Sequence, residues 1–246
     1  MVRRSRTTYR GLKRGVGDSI IISMEMNKNT ILLTVISVVA IFGFLGIAYM
    51  VTNQTTKPDT SVYEELKKPS QTDHVKWSKA NKHVLVEFSD LQCPACKGFH
   101  EIIRDKIEKD PKNKNVMDNI TFVYKNYPLP SLHKNAINAV YAAEAAGMQG
   151  KFYEMADMMF DSQTEWAEKN DPKSYFQELA KKLKLDMKKF DNDMKSKTVK
   201  DKLTADQSLG DTVGVQATPT FFLDGKKVDV NTFDEFVVLL QDTAKK

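Results

Sequence analysis

The chain has only two cysteines in 246 residues, and they stand three positions apart as Cys93 and Cys96. A disulfide scaffold would use more cysteines, spread further, so the pair reads as chemical rather than structural. No internal repeat is visible, which excludes solenoids and propellers. The folded part also lacks a surplus of either charge. The formal net charge is +5, from 37 basic and 32 acidic residues. Residues 1–30 hold seven of the basic groups (Arg3, Arg4, Arg6, Arg10, Lys13, Arg14, Lys28) and two of the acids (Asp18, Glu25), leaving thirty of each sign beyond. A nucleic-acid partner is therefore not expected.

Residues 31–51, ILLTVISVVAIFGFLGIAYMV, contain no charge. A helix of that length spans about 30 Å, the thickness of a bilayer's hydrocarbon core. The basic cluster precedes it, so residues 1–30 are expected in the cytoplasm and everything after about residue 52 outside the cell. A cleaved signal peptide, cut near Gly46-Ile47-Ala48, is the alternative, although the apolar run exceeds the usual length. Met24 and Met26 precede a second possible start. Residues 52–75 are polar, with Pro58 and Pro69, and read as a linker with one short helix at 61–68.

From residue 83 the pattern is ordered. Val84-Leu85-Val86-Glu87-Phe88 reads as a buried strand, 93–108 as a helix with Phe99, Ile102, Ile103 and Ile107 on one face, and 120–124 as a second strand. Residues 131–208 carry helical periodicity too long for a connection, hence an inserted subdomain. Residues 219–223 and 226–230 form a hairpin about Asp224-Gly225, and Asn231 or Thr232 opens a last helix. Met155, Met158 and Met159 read as packing, and the lysine-rich 181–202 as a solvated face.

Cys93-Pro94-Ala95-Cys96 stands between the strand and the helix. At a helix start, unpaired amides and the positive end of the dipole stabilise a thiolate, the nucleophile of disulfide exchange. Pro94 suits the first turn, where no amide hydrogen is needed. Cys93 would attack and Cys96, one turn in, would resolve. An inert or permanent bridge is one alternative. A metal site of Cys93, Cys96 and His100 is another, but it lacks a fourth ligand.

The run Val86-Glu87-Phe88-Ser89-Asp90-Leu91-Gln92-Cys93-Pro94-Ala95-Cys96-Lys97-Gly98-Phe99-His100 resembles the active-site signature of the DsbA family, most of all its membrane-anchored Gram-positive members. Gly214 to Lys226, with Thr218-Pro219, is similar to that family's cis-proline strand and hairpin. The resemblance covers about 75–245. It implies an α/β, thioredoxin-like domain over 76–245 with the helical insertion at 131–208, preceded by one transmembrane helix. It implies a cis Pro219 beside Cys93, substrate pairing at Thr218 with Pro94 and Ala95 at the rim, and Glu87 as a buried acid relaying protons to Cys96. His133 matches a common family position and reads first as a helix-start residue. The resemblance further implies reduced secreted proteins as clients, a DsbB-like membrane reoxidase, and neither cofactor nor metal. The Pro-Ala dipeptide lacks the histidine of strongly oxidising members. A reductase of the same fold, or a non-catalytic binder, is the alternative function.

Overall fold

In the computed structural model, residues 28–52, 61–230 and 232–246 are described, with side chains of the first segment described only in part. The chain divides into two units, Met1–Lys57 and Pro58–Lys246. Among the described residues, the first holds one helix, α1 (Lys28–Thr52). Its described side chains are exposed and, Ser37 apart, not polar, among them Leu33, Phe42 and Phe44. Among the described residues, no helix is long and apolar enough to cross a membrane. The span expected over 31–51, the linker residues 53–60, most of the basic segment 1–30 and the capping alternative Asn231 lie partly or wholly outside the described residues.

The second unit is a five-stranded sheet with helices around it. The strands are β1 (His74–Trp77), β2 (His83–Ser89), β3 (Ile120–Asn126), β4 (Thr220–Leu223) and β5 (Lys226–Lys227), in the order β1-β3-β2-β4-β5. Only β2 and β3 are parallel, as the crossover between them requires. That crossover runs through α2 (Pro94–Ile102), a π-helical turn Ile103–Glu108, and α3 (Lys114–Asn119). Six helices separate β3 from β4: α4 (Ala136–Gly147), α5 (Phe152–Asp161), α6 (Gln163–Trp166), α7 (Lys173–Lys182), α8 (Met187–Asp193) and α9 (Lys197–Thr212). α10 (Phe233–Thr243) closes the domain, capped by the Thr232 hydroxyl, which accepts from the Glu235 amide at 3.1 Å.

Alternation along β2 decides which side chain meets which layer. Val84, Val86 and Phe88 face a small apolar layer with Leu66, Val213 and Phe222, whereas Leu85 packs in the larger layer that contains Cys93 and Cys96. Glu87 shares the parity of Leu85 and so faces the cysteine side. Met155 and Met159 are fully buried there, in keeping with their reading as packing.

Three sequence expectations need correction. The linker to residue 75 ends too late. Leu66 is buried, the Tyr63 amide donates to the Gly225 carbonyl at 2.8 Å, and β1 begins at His74. The helix read at 61–68 is a single 3-10 turn, Glu64–Leu66. Nor is all of 181–202 solvated: Lys202 is buried and bonds Asp206 at 2.7 Å. Lys125 joins the same group, 2.6 Å from Asp73 and 3.3 Å from Asp206. These four charges tie α9 to β3 and to the segment before β1. Removing one member leaves buried cations short of a partner. Asp206→Ala is therefore expected to cost about 3–5 kcal/mol in urea unfolding.

Candidate active site

Cys93 occupies the N-cap of α2 in an extended conformation (φ −72°, ψ 125°) with Pro94 in the first turn. The loop before it is pinned from several sides. Asp90 is fully buried, and its carboxylate accepts from the Gln92 amide at 2.8 Å, the Leu129 amide at 2.9 Å and His133 Nδ1 at 2.7 Å. Gln163 of α6 donates through Nε2 to the carbonyls of Leu91 at 2.9 Å and Cys93 at 3.1 Å. Gln92 in turn accepts from the Asn135 amide at 2.7 Å and donates to the Ala167 carbonyl at 2.9 Å. The reactive loop is thus held by the helical insertion as well as by the sheet.

The two cysteines are free and differ in environment. Cys93 is 7% exposed and Cys96 is 0% exposed, while Pro94 and Ala95 between them are exposed. The Cys93 thiol is pulled down to about 5. The hydrogen bond from the Cys96 thiol contributes most, burial opposes it, and the amides of Cys96 and Ala95 and the Thr218 side chain add to the lowering. Cys96 moves the other way, well above the ordinary thiol value. Burial is the largest cause, followed by its hydrogen bond to Cys93 and the nearby charge of Glu87. At neutral pH the pair therefore holds one thiolate and one thiol, in the order that sequence reasoning assigns.

The Thr218–Pro219 peptide bond is cis. As a thiol, Cys93 donates to the Thr218 carbonyl at 3.3 Å. The structure thus brings Cys93, Cys96, Thr218 and Pro219 together, with Pro94 and Ala95 on the rim. Glu87 lies beneath, 4% exposed, and burial pushes its carboxyl up to about 7. Ser89 and Lys76 pull it down and the Cys93 thiolate pushes it up, all more weakly than burial. Among the described residues, no group of three or more His, Cys, Asp or Glu side chains could hold a metal ion.

A family model described as thioredoxin matches residues 69–242, most of the domain. The chain belongs to the thioredoxin family. Its paired cysteines stand free at a helix start, the arrangement that thiol–disulfide exchange chemistry requires. The fold of this thioredoxin-family protein is shared with BdbD of Bacillus subtilis, at 23% identity and a TM-score of 0.62, covering 73% of this chain and 97% of that one. It is shared equally with alpha-DsbA1 of Wolbachia pipientis, at 20% identity and a TM-score of 0.61, covering 74% and 96%. A curated relative, a Na(+)/H(+) antiporter NhaA 1 of Mycolicibacterium vanbaalenii, is 32% identical over 157 residues. That match takes in 62% of this chain but only 23% of the relative's own length.

Sequence reasoning missed Asp90, Gln92, Gln163 and Asn135, because each acts on backbone groups far away in the chain. His133, read first as a helix-start residue, precedes α4 and also bonds the buried Asp90. His100 is directed at Asp157, with Nε2 3.7 Å from Oδ1.

Proposed function

We propose that this protein is a membrane-tethered thiol oxidase that donates the Cys93–Cys96 disulfide to reduced secreted or surface proteins. The observation that supports this direction is the split between the two thiols. A thiolate stabilised at Cys93 favours the dithiol form of the enzyme over its disulfide, which makes the disulfide a ready acceptor of client electrons.

The exchange proceeds in two displacements. A client thiolate attacks Cys93 Sγ, the Cys93–Cys96 bond breaks, and Cys96 leaves and takes a proton. A second client thiol then attacks the client sulfur of the mixed disulfide, and Cys93 leaves as a thiolate. Two electrons pass from client to enzyme, and the client gains a disulfide. Glu87 is suited to give the proton to Cys96, since its carboxyl titrates near neutral pH on the buried side of the pair. The backbone of Thr218 is suited to pair with an extended client segment, as an added strand would, with Pro219, Pro94 and Ala95 bordering the contact. A membrane reoxidase of the DsbB kind then restores the disulfide.

The tether is the uncharged run 31–51, with the basic residues before it kept in the cytoplasm and the domain outside. The exposed apolar side chains of α1 support this reading, since in water they would have no cover.

The test is the reduction potential of the Cys93–Cys96 pair, measured against glutathione. A value approaching the about −120 mV of DsbA is expected, and one near the about −270 mV of thioredoxin would favour the reductase instead. Treating whole cells with a protease that cannot cross membranes checks the sidedness. Loss of the domain is expected, and full protection would overturn it.

A further inference from the structure

Glu87 can serve one exchange and must then trade its proton with water. Cys96 and Glu87 are 0% and 4% exposed, so neither meets bulk solvent. The rim at Pro94 and Ala95 is where a client would sit, which closes the front of the site during the reaction. A proton needs another way out.

A narrow cleft opens beside Glu87, with Tyr124, Tyr153, Lys76, His100 and Asp157 as the rest of its polar lining. The space open to the centre of a water is about 10 Å³, about what a single water needs. Lys76 is engaged elsewhere, 2.6 Å from Glu108 and stacked over the Tyr153 ring at 5.0 Å. The Tyr124 hydroxyl has no hydrogen-bond partner and, by burial, holds its proton far more tightly than an ordinary phenol.

His100 is placed differently. It lies four residues after Cys96 on α2, hence on the same helix face. Its ring stacks on Phe160 at 4.8 Å and 25°. Its Nε2 is buried without a hydrogen bond, 3.7 Å from Asp157 Oδ1 of α5, and the Asp157 side chain is 44% exposed. The imidazole therefore stands between the cleft interior and a half-buried carboxylate at its edge. It is kept neutral: burial, then Lys76 and Arg104, hold it down to about 4, against the opposing pull of Asp161 and Glu108. A neutral imidazole accepts at one nitrogen and donates at the other, so it can pass a proton without lodging a charge in the cleft.

We propose that His100, with Asp157 at its outer side, is the gate through which Glu87 exchanges protons with solvent. This rests on the reading of Glu87 as the proton store for Cys96. His100 is a positioning residue here, acting through Glu87 and not on the sulfurs.

The experiment mixes the reduced full-length protein with excess glutathione disulfide, quenches with acid, and resolves the species by mass. In the first phase the Cys93 thiolate displaces one glutathione thiolate and forms a mixed disulfide. In the second, Cys96 loses its proton, attacks Cys93 Sγ and releases the other glutathione. His100→Leu is expected to slow the second phase about tenfold between pH 6 and 8, less than the roughly 10²-fold or more of a direct acid–base group, because His100 acts through Glu87. The first phase and the thiolate absorbance titration of Cys93 stay unchanged. Asp157→Asn, on the rim where folding is not at stake, gives a smaller slowing of the same phase. Glu87→Gln slows it at least as much, and the Glu87→Gln/His100→Leu double variant is no slower than Glu87→Gln alone. If His100→Leu and Asp157→Asn close at the wild-type rate while Glu87→Gln is slow, the gate is wrong and the Glu87 reading stands. If Glu87→Gln is itself unimpaired, both fall. A shifted Cys93 titration in His100→Leu would mark a merely structural role and also overturn the gate.

Discussion

Replacing Cys96 with Ser is expected to turn the protein into a trap. Cys93 remains at the helix start with Pro94 and Ala95 exposed beside it, so it still attacks client disulfides. The serine hydroxyl can replace the thiol that donates to the Cys93 thiolate, the largest single cause of its lowered pKa. The mixed disulfide then forms but has no internal thiol to open it. Non-reducing gels of cells expressing Cys96→Ser should show a ladder of client adducts that collapses with dithiothreitol. Cys93→Ser should show none, because the remaining Cys96 is fully buried and its pKa lies well above the ordinary thiol value. A ladder from Cys93→Ser, or its absence from Cys96→Ser, would reverse the assigned roles.

The second large effect is a stability difference between redox forms that depends on pH. Cys93 titrates at about 5 in the folded dithiol, against an ordinary value of 9.0. A group with a depressed folded-state pKa contributes stability above that value, and the contribution is complete once pH passes the unfolded value. The disulfide form has no thiolate and gains nothing. The stability of the dithiol relative to the disulfide should therefore rise from pH 5 toward pH 9, by at most about 1.4 kcal/mol per pH unit. At neutral pH this gain opposes the chain-entropy benefit of so short a disulfide loop, itself about 2 kcal/mol. Urea unfolding of both forms at several pH values measures it. The same titration should bend the plot of reduction potential against pH near 5, from about 60 to about 30 mV per pH unit, as one of the two protons ceases to accompany the electrons. A flat difference and an unbent plot would mean that Cys93 is an ordinary thiol.

The sequence made the catalytic centre legible because its parts are local. Cys93, Pro94 and Cys96 declare a helix start, and Thr218-Pro219 before a Phe221-Phe222 strand declares its neighbour. Strand β1 was not legible. It has four residues, His74-Val75-Lys76-Trp77, all of intermediate burial, at the edge of the sheet, where no clean alternation is imposed. The polar composition of the preceding stretch concealed Leu66, which is buried in the small apolar layer. Lys202 and Asp206 looked like part of a solvated charge run because their four-residue spacing is also that of a surface pair. Only the arrival of Lys125 and Asp73 from other elements makes them interior. Glu87 could be assigned to the cysteine side from resemblance alone. The structure supplies the physical reason, which is its shared parity with Leu85 on β2.

The bond from Gln163 to the carbonyls of Leu91 and Cys93 has a consequence for exchanging parts between related proteins. The insertion is not merely a roof over the sheet. One of its side chains holds the peptide planes on either side of the reactive loop. A graft that replaced residues 131–208 with a foreign helical block lacking an amide at that point would free the turn that aims the cysteines, besides removing Lys202 and Asp206 from the buried charge group. Any exchange of the block would require the glutamine amide to travel with it.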